Sequence, residues 1–324
     1  MNTPIQIVGQ GVAGSWLAWE CERAGVGFQI IDRGHAEAAS RVGAGLVSPL
    51  TGRRLAPTWR FTEWRDSVLA AYREIEQELG CPLVRELRLR RQFRDDRERV
   101  RFKERVAASD AAPWVESIDD NGLWLRGAFQ VETGRLIAAL RERWIAQGKL
   151  DVSEVEPARV PTSEGRTVWC IGARAVGAID IGCDWEPSKG ELVRGRMDGL
   201  EPDVVLNDGQ WLLPLPDGHV RVGATFERHD LKLEATEAAQ QTLREAAERL
   251  GGQPLREPEA AVGLRVTVKD RRPVVGWLDA ERRVGVFGGL AAKGALWAPA
   301  LARQWLADGL SGGQIEAEAR ADRF

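Results

Sequence analysis

One tyrosine, Tyr72, stands among 324 residues, so any chemistry that needs a phenol has a single candidate. Aromatic volume is carried instead by 13 tryptophans and 8 phenylalanines. Histidine is scarce too, and the spacing of His35, His219 and His229 suits no metal centre; His219 falls in a turn and is expected to be exposed. The four cysteines, Cys21, Cys81, Cys170 and Cys183, lie far apart with no Cys-x-x-Cys pair. That spacing excludes a zinc ribbon or a disulfide framework and fits a reducing compartment. No apolar run approaches the roughly 20 residues that span a bilayer. The first strand begins at about residue 4, which leaves no room for a signal or transit peptide. A formal net charge of -3 gives no whole-molecule attraction to nucleic acid or to an anionic membrane. The expectation is a cytoplasmic protein with no metal, no membrane partner and no nucleic-acid partner, its oligomeric state left open.

What is present is a nucleotide-binding pattern. Residues 4–8 form a short apolar strand that runs into Gly9-Gln10-Gly11-Val12-Ala13-Gly14. A helix follows, with Leu17, Ala18 and Cys21 on its apolar stripe, and ends near Ala24-Gly25; a second strand, 28–31, closes on Asp32. This is a βαβ unit with a full GxGxxG at the strand-to-helix turn, so the fold class is α/β and Rossmann-type. The first glycine permits the tight turn, the second lets backbone approach a pyrophosphate, and the third lets helix pack on strand. The helix N-terminus turns N–H groups and a positive dipole end towards the diphosphate. Asp32 is placed to accept both hydroxyls of an adenosine ribose. The motif alone does not separate NAD from FAD.

The rest of the chain reads as helices over 63–79, 133–147, 235–250 and 296–306. Strands are expected over 150–155, 167–171 and 284–287, and a β-rich stretch over 191–226 holds a hairpin turned at Pro216-Asp217-Gly218. Residues 85–105 are dense in arginine, but Glu86, Asp95, Asp96, Glu98 and Glu104 dilute the field, and a solvated face of mixed charge is expected there. At this length two intimately packed domains are expected.

Further stretches carry a resemblance. They are AEAASRVGAGLVSP after Asp32-Arg33, TVWCIGA at 167–173, EPSKGEL at 186–192, QWLLPLPDGHVRVGATFE at 210–227, VGLRVTVKDRRPVVG at 262–276 and GGLAAKGALWAPALA at 288–302. In order and spacing they resemble the D-amino-acid oxidase/glycine oxidase superfamily of FAD proteins. The resemblance implies a glutathione-reductase-like FAD-binding domain, discontinuous over 1–80, 130–185 and 262–324, and a β-rich substrate domain from 81–129 and 186–261. It implies FAD held by Gly9, Gly11, Val12, Ala13, Gly14, Asp32, Arg33, Ser40, Ala44, Gly45, Leu46, Val155 and Gly172, and by Arg265, Gly289, Leu290, Ala291, Ala292, Lys293 and Gly294 in the last third. The implied activity is oxidation of a small amine or amino acid by hydride transfer from the α-carbon to flavin N5, with the amine entering unprotonated so that no general base is required.

Arg265 sits where this family places the arginine that binds a substrate carboxylate, and a guanidinium fork suits that task. Three positions depart from the pattern. Trp211 stands where glycine oxidases tend to carry tyrosine and is read as a wall of the pocket. Ala292 replaces a basic residue that some relatives use as a second carboxylate contact, and Val266 replaces a proline. Arg53 and Arg54 are candidates to replace the missing contact, and Lys293 is a candidate for charge near the flavin or for oxygen activation. Two other functions stay open: an oxidase acting on a modified tRNA wobble uridine, and a flavin-binding subunit without catalysis.

Overall fold

The computed structural model describes residues 4–34, 38–52, 54–107, 111–156, 165–311 and 313–324. The strand Ile5–Val8 lies between Phe28–Ile31 and Arg166–Trp169, parallel to both. Around this centre a six-stranded sheet runs in the order Val274–Trp277, Val284–Gly288, Arg166–Trp169, Ile5–Val8, Phe28–Ile31, Leu150–Asp151. All its pairings are parallel except that of Val274–Trp277 with Val284–Gly288. One sheet thus draws on both ends of the chain.

The helix Val12–Arg23 joins the first two strands, and every residue from Val12 to Cys21 is buried. An all-round burial of this kind needs cover on both sides. The sheet supplies one side and the helix Gly294–Ser311 packs on the other. Tyr72 ties three helices together at this point. Its hydroxyl accepts from Trp16 Nε1 at 3.2 Å and donates to the Ala295 carbonyl at 2.9 Å, from the helix Phe61–Leu79. The single phenol is therefore an interior strut, and it lies outside the cavity described below.

A nine-stranded sheet forms the second layer, in the order Arg256–Val268, Trp185–Arg196, His219–Gly223, Trp211–Pro214, Val204–Asn207, Val84–Gln92, Gly122–Val131, Leu46–Val47, with Val115–Ile118 also on Gly122–Val131. The hairpin expected at Pro216-Asp217-Gly218 joins Trp211–Pro214 to His219–Gly223. The helix Glu237–Gly251, capped by the Thr236 hydroxyl, buries Leu243, Ala246, Ala247 and Leu250 against this sheet.

Several local expectations need correction. The strand expected over 150–155 pairs only at Leu150–Asp151, because its partner Phe28–Ile31 offers just Ile30 and Ile31 there. The last helix runs longer than 296–306, from Gly294 to Ser311. His219 is not exposed: it opens a strand, and its Nδ1 lies 3.2 Å from an Asp217 carboxylate oxygen. Within 85–105 Arg88 is paired with Glu116 and Arg90 with Asp119. Arg91 and Glu98, however, form a buried pair at 3.0 Å, so this segment is not solvated throughout.

Candidate active site

A cavity of about 1160 Å³ opens where C-terminal ends of the parallel strands, at Val8, Ile31 and Gly288, face the larger sheet. That exceeds the roughly 300–1,000 Å³ of an ordinary small-ligand pocket and suits a dinucleotide together with a substrate. One wing is the glycine turn. Gly9 has φ +100°, and a Cβ there would stand 2.6 Å from the Cys170 carbonyl oxygen. Gly11, Val12 and Ala13 line the cavity, presenting the amino end of the helix with no acidic residue in its first turn. That is the polarity a diphosphate requires. Gly14 alone of the expected set does not line the cavity; a Cβ there would fall on the Gly9 carbonyl, so it serves the packing of turn on helix.

Asp32 is buried and already shared. Its carboxylate accepts from the Gln10 and Gly34 N–H groups, each at 2.8 Å, and from Arg141 Nη1 at 2.7 Å. A carboxylate has about four acceptor positions, so a ribose here would share Asp32 with the chain itself. Arg33, Ser40, Ala44, Gly45, Leu46, Val155 and Gly172 all reach the cavity wall. Ser40 accepts from the Val12 N–H at 3.1 Å, which fixes the following loop to the helix start.

The other wing is the loop from Gly288 to Gly294. The Ala291 N–H donates to the Val266 carbonyl at 3.0 Å, tying this loop to the strand that carries Arg265. Gly289 and Ala291 both have positive φ, at 68° and 47°. For alanine that conformation is strained by about 1–2 kcal/mol, the kind of local cost found where a loop is shaped by a ligand site. A Cβ on Gly294 would stand 2.8 Å from Val12 Cγ1, so glycine lets the two helix starts approach each other. Leu290, Ala292 and Lys293 complete the wall. Lys293 has no ion-pair partner among the described residues, and burial draws its ammonium down to about 8. Cys170 also lines the cavity, but burial pushes its thiol up and keeps it protonated.

Arg265 points from the strand Arg256–Val268 across Gly190 of the neighbouring strand. Its Nη2 donates to the Thr225 carbonyl at 2.8 Å and to the Lys189 carbonyl at 3.4 Å, and its Nε is buried with no partner. No carboxylate pairs with it among the described residues, whereas most arginines in this chain are so paired. Burial lowers its basicity, yet a guanidinium stays charged at neutral pH. A half-buried, charged fork with spare donors in a cavity wall is suited to hold an anion. Beside it the Trp211 ring lies over Gly223, and Leu46, Leu50, Leu55, Leu89 and Leu125 supply apolar walls. Arg54 is exposed and does not line the cavity; Arg53 and His35 lie outside the described residues. Gly190 and Thr225 were not among the expected site residues, although both fall inside quoted stretches: the signal was their place beside Arg265, which only strand register reveals.

The residues present therefore fit a flavin dinucleotide between the glycine turn and the loop Gly288–Gly294, and an anion at Arg265. A "tRNA 5-methylaminomethyl-2-thiouridine biosynthesis bifunctional protein MnmC" of Maricaulis maris is 31% identical over 97% of this chain. The chain spans about half of that protein's length, 53%. A glycine oxidase of Pseudomonas aeruginosa is 27% identical, with 96% of each chain covered. Among solved structures, a glycine oxidase from Geobacillus kaustophilus superposes with a TM-score of 0.81 at 18% identity, covering 99% of each chain. The family profile described as "DAO: FAD dependent oxidoreductase" matches residues 5–308, and with the cavity as its physical counterpart this chain belongs to the DAO family of FAD-dependent oxidoreductases.

Proposed function

We propose that this enzyme oxidises a small amino acid or amine, with Arg265 holding the substrate carboxylate. The observation that carries the reading is the guanidinium itself, half-buried in the cavity wall, one nitrogen spent on the Thr225 and Lys189 carbonyls and no carboxylate paired with it among the described residues. When bound, FAD supplies the two-electron acceptor that amine oxidation calls for. Gly9, Gly11, Val12 and Ala13 would receive the diphosphate, and Asp32 the adenosine ribose. Arg33, Val155 and Gly172 would flank the adenosine side, with Ser40, Ala44, Gly45, Leu46 and residues 289–294 along the flavin. Arg265 then fixes one end of the substrate, so that rotation is lost on binding rather than at the barrier. Trp211 and the leucines around it exclude water from the α-carbon. The same reading divides the chain into a cofactor unit over 1–80, 130–185 and 262–324 and a substrate unit over 81–129 and 186–261. The boundary at 262 falls within the strand that carries Arg265, which brings the anchor to the seam.

The likeness to the Maricaulis maris protein supports a second substrate, an amine on a modified tRNA base. The arginine-rich segment does not add to it, since Arg88, Arg90 and Arg94 are already bound to Glu116, Asp119 and Glu98. Anaerobic mixing of the FAD-loaded enzyme with a panel of amino acids, secondary amines and carboxylate-free analogues decides between them. Bleaching of the flavin band by free amino acids supports the proposal. Bleaching only by a tRNA-borne amine overturns it.

A further inference from the structure

The stretch Lys189-Gly190-Glu191 is one the cofactor and the anchor leave half explained. Side chains alternate along a strand, so Gly190 faces Arg265 while Lys189 and Glu191 face the other way. Both are almost wholly buried, at 1% and 2% exposure. Lys189 Nζ donates to Asp230 Oδ2 at 3.0 Å and to the Glu234 carbonyl at 3.2 Å, and stands 3.4 Å from Glu191 Oε1. Glu191 accepts from the Thr236 N–H at 2.8 Å and from its hydroxyl at 3.1 Å. Main-chain bonds run alongside: Lys189 and Glu227 exchange N–H bonds at 2.8 and 3.0 Å, and the Glu191 N–H donates to the Thr225 hydroxyl at 2.9 Å.

All these partners belong to one segment, residues 225–236, between the strand His219–Gly223 and the helix Glu237–Gly251. The segment lacks regular structure of its own. It nevertheless builds the substrate wing: the Thr225 carbonyl holds Arg265, Phe226 lies 5.5 Å from the guanidinium, and Leu233 lines the cavity. Leu233 and Phe226 are exposed, at 42% and 61%, so apolar burial does little to hold the segment down. Burying a lysine and a glutamate is costly, and a strand gains little stability from it that apolar residues would not give. Such a pair makes sense as a device for fixing geometry.

We propose that Lys189 and Glu191 are positioning residues, a buried clasp that fastens segment 225–236 and thereby aims Arg265 at the substrate carboxylate. The role rests on the reading of Arg265 as anchor. It is tested on the FAD-loaded enzyme with Lys189→Met, Glu191→Gln and the double variant Lys189→Met/Glu191→Leu, beside Arg265→Ala. The first readout needs no turnover: trypsin cleavage after Arg228 and Lys232, located by mass spectrometry. Release of the segment should raise cleavage there by about tenfold or more, with other sites unchanged. The second is kinetic: KM for the carboxylate substrate should rise about tenfold with kcat within about twofold, while a carboxylate-free amine is little affected.

The double variant removes the unpaired charge that a single substitution leaves, so its thermal stability should recover. Fast cleavage and high KM should persist in it. If KM and cleavage return to wild-type values along with stability, the pair is merely structural and the proposal is overturned. Wild-type cleavage in all three variants overturns it as well. An unchanged KM in Arg265→Ala overturns the anchor reading, and the positioning role with it, however fast the segment is cut.

Discussion

Replacing Arg265 with alanine should leave the flavin in place and cripple its reduction by substrate. The guanidinium spends one nitrogen on the chain, Nη2 donating to the Thr225 and Lys189 carbonyls, and its Nε is buried without a partner. Two hydrogen bonds from a half-buried cation to a carboxylate are worth about 1.5–3 kcal/mol each. Their loss should raise the barrier by about 3–5 kcal/mol, a few hundred to a few thousand fold in kcat/KM. Flavin content, read from the visible absorbance of purified protein, should match wild type. Rapid anaerobic mixing over a range of substrate concentrations gives the reduction rate and its half-saturation point. Arg265→Lys should recover only part of the loss, because an ammonium cannot reproduce the fork. A carboxylate-free analogue should be a poor substrate for wild type and little worse for the variant. Equal losses with both substrates would trace the defect to folding, and an unchanged rate would refute the anchor.

Gly190→Ala places a Cβ 2.5 Å from Arg265 Nη2, the far end of a flexible side chain, so the fold should survive while the guanidinium shifts. A displacement near 1 Å at a positioned group costs on the order of 100-fold in kcat/KM, measured beside an unaltered melting temperature. Gly11→Val should yield folded protein without FAD, since the nearest atom to a Cβ there is Ser40 Oγ at 3.4 Å; Gly14→Ala, which drives a Cβ into the Gly9 carbonyl, should yield little folded protein at all. Tyr72→Phe removes a buried hydroxyl and leaves Trp16 Nε1 and the Ala295 carbonyl without it; about 1–3 kcal/mol of stability should go, with kcat unchanged. Lys293 titrates at about 8 in the folded chain against 10.5 unfolded, so between those values the unfolded state binds more protons and stability rises with pH. Lys293→Met should therefore be more stable than wild type by up to about 3 kcal/mol at pH 7, in the FAD-free protein. That advantage should shrink as pH climbs from 8 towards 10.5; a pH-independent difference in denaturant midpoints would refute it.

The nucleotide half was legible because its signal is local. Gly9, Gly11, Asp32 and the strand at 28–31 lie within one short stretch, and strand, turn and helix each announce themselves by composition and period. The roles of single atoms were not. Asp32 reads as a free ribose acceptor until the fold brings Arg141 to it from a helix more than a hundred residues away. Gly14, read both as the packing glycine and as a cofactor contact, is left with the packing role because it does not line the cavity. The substrate half was legible only as likeness to other chains. Nothing local to Arg265 says whether an acid will neutralise it; that depends on Ser188 and Gly190 in register opposite and on Thr225 returning alongside. His219 shows the same limit, since its turn neighbours suggested exposure and the strand it opens leaves it half-buried.

The order of strands in the six-stranded sheet has a bearing on how the protein is made. Among the strands of its sheet Ile5–Val8 leaves the ribosome first, yet the sheet is not filled until Val284–Gly288 pairs beside Arg166–Trp169. The loop that closes the flavin wing and the helix that covers Val12–Arg23 are translated later still. A nascent chain therefore carries the whole glycine turn long before it has a cavity to fill. Cofactor binding stabilises only a state able to bind it, so with the flavin held as proposed its protection would reach only chains that have passed residue 294. Prematurely terminated products would keep the most recognisable motif in the sequence, lack any shelter from it, and be the species that proteases remove.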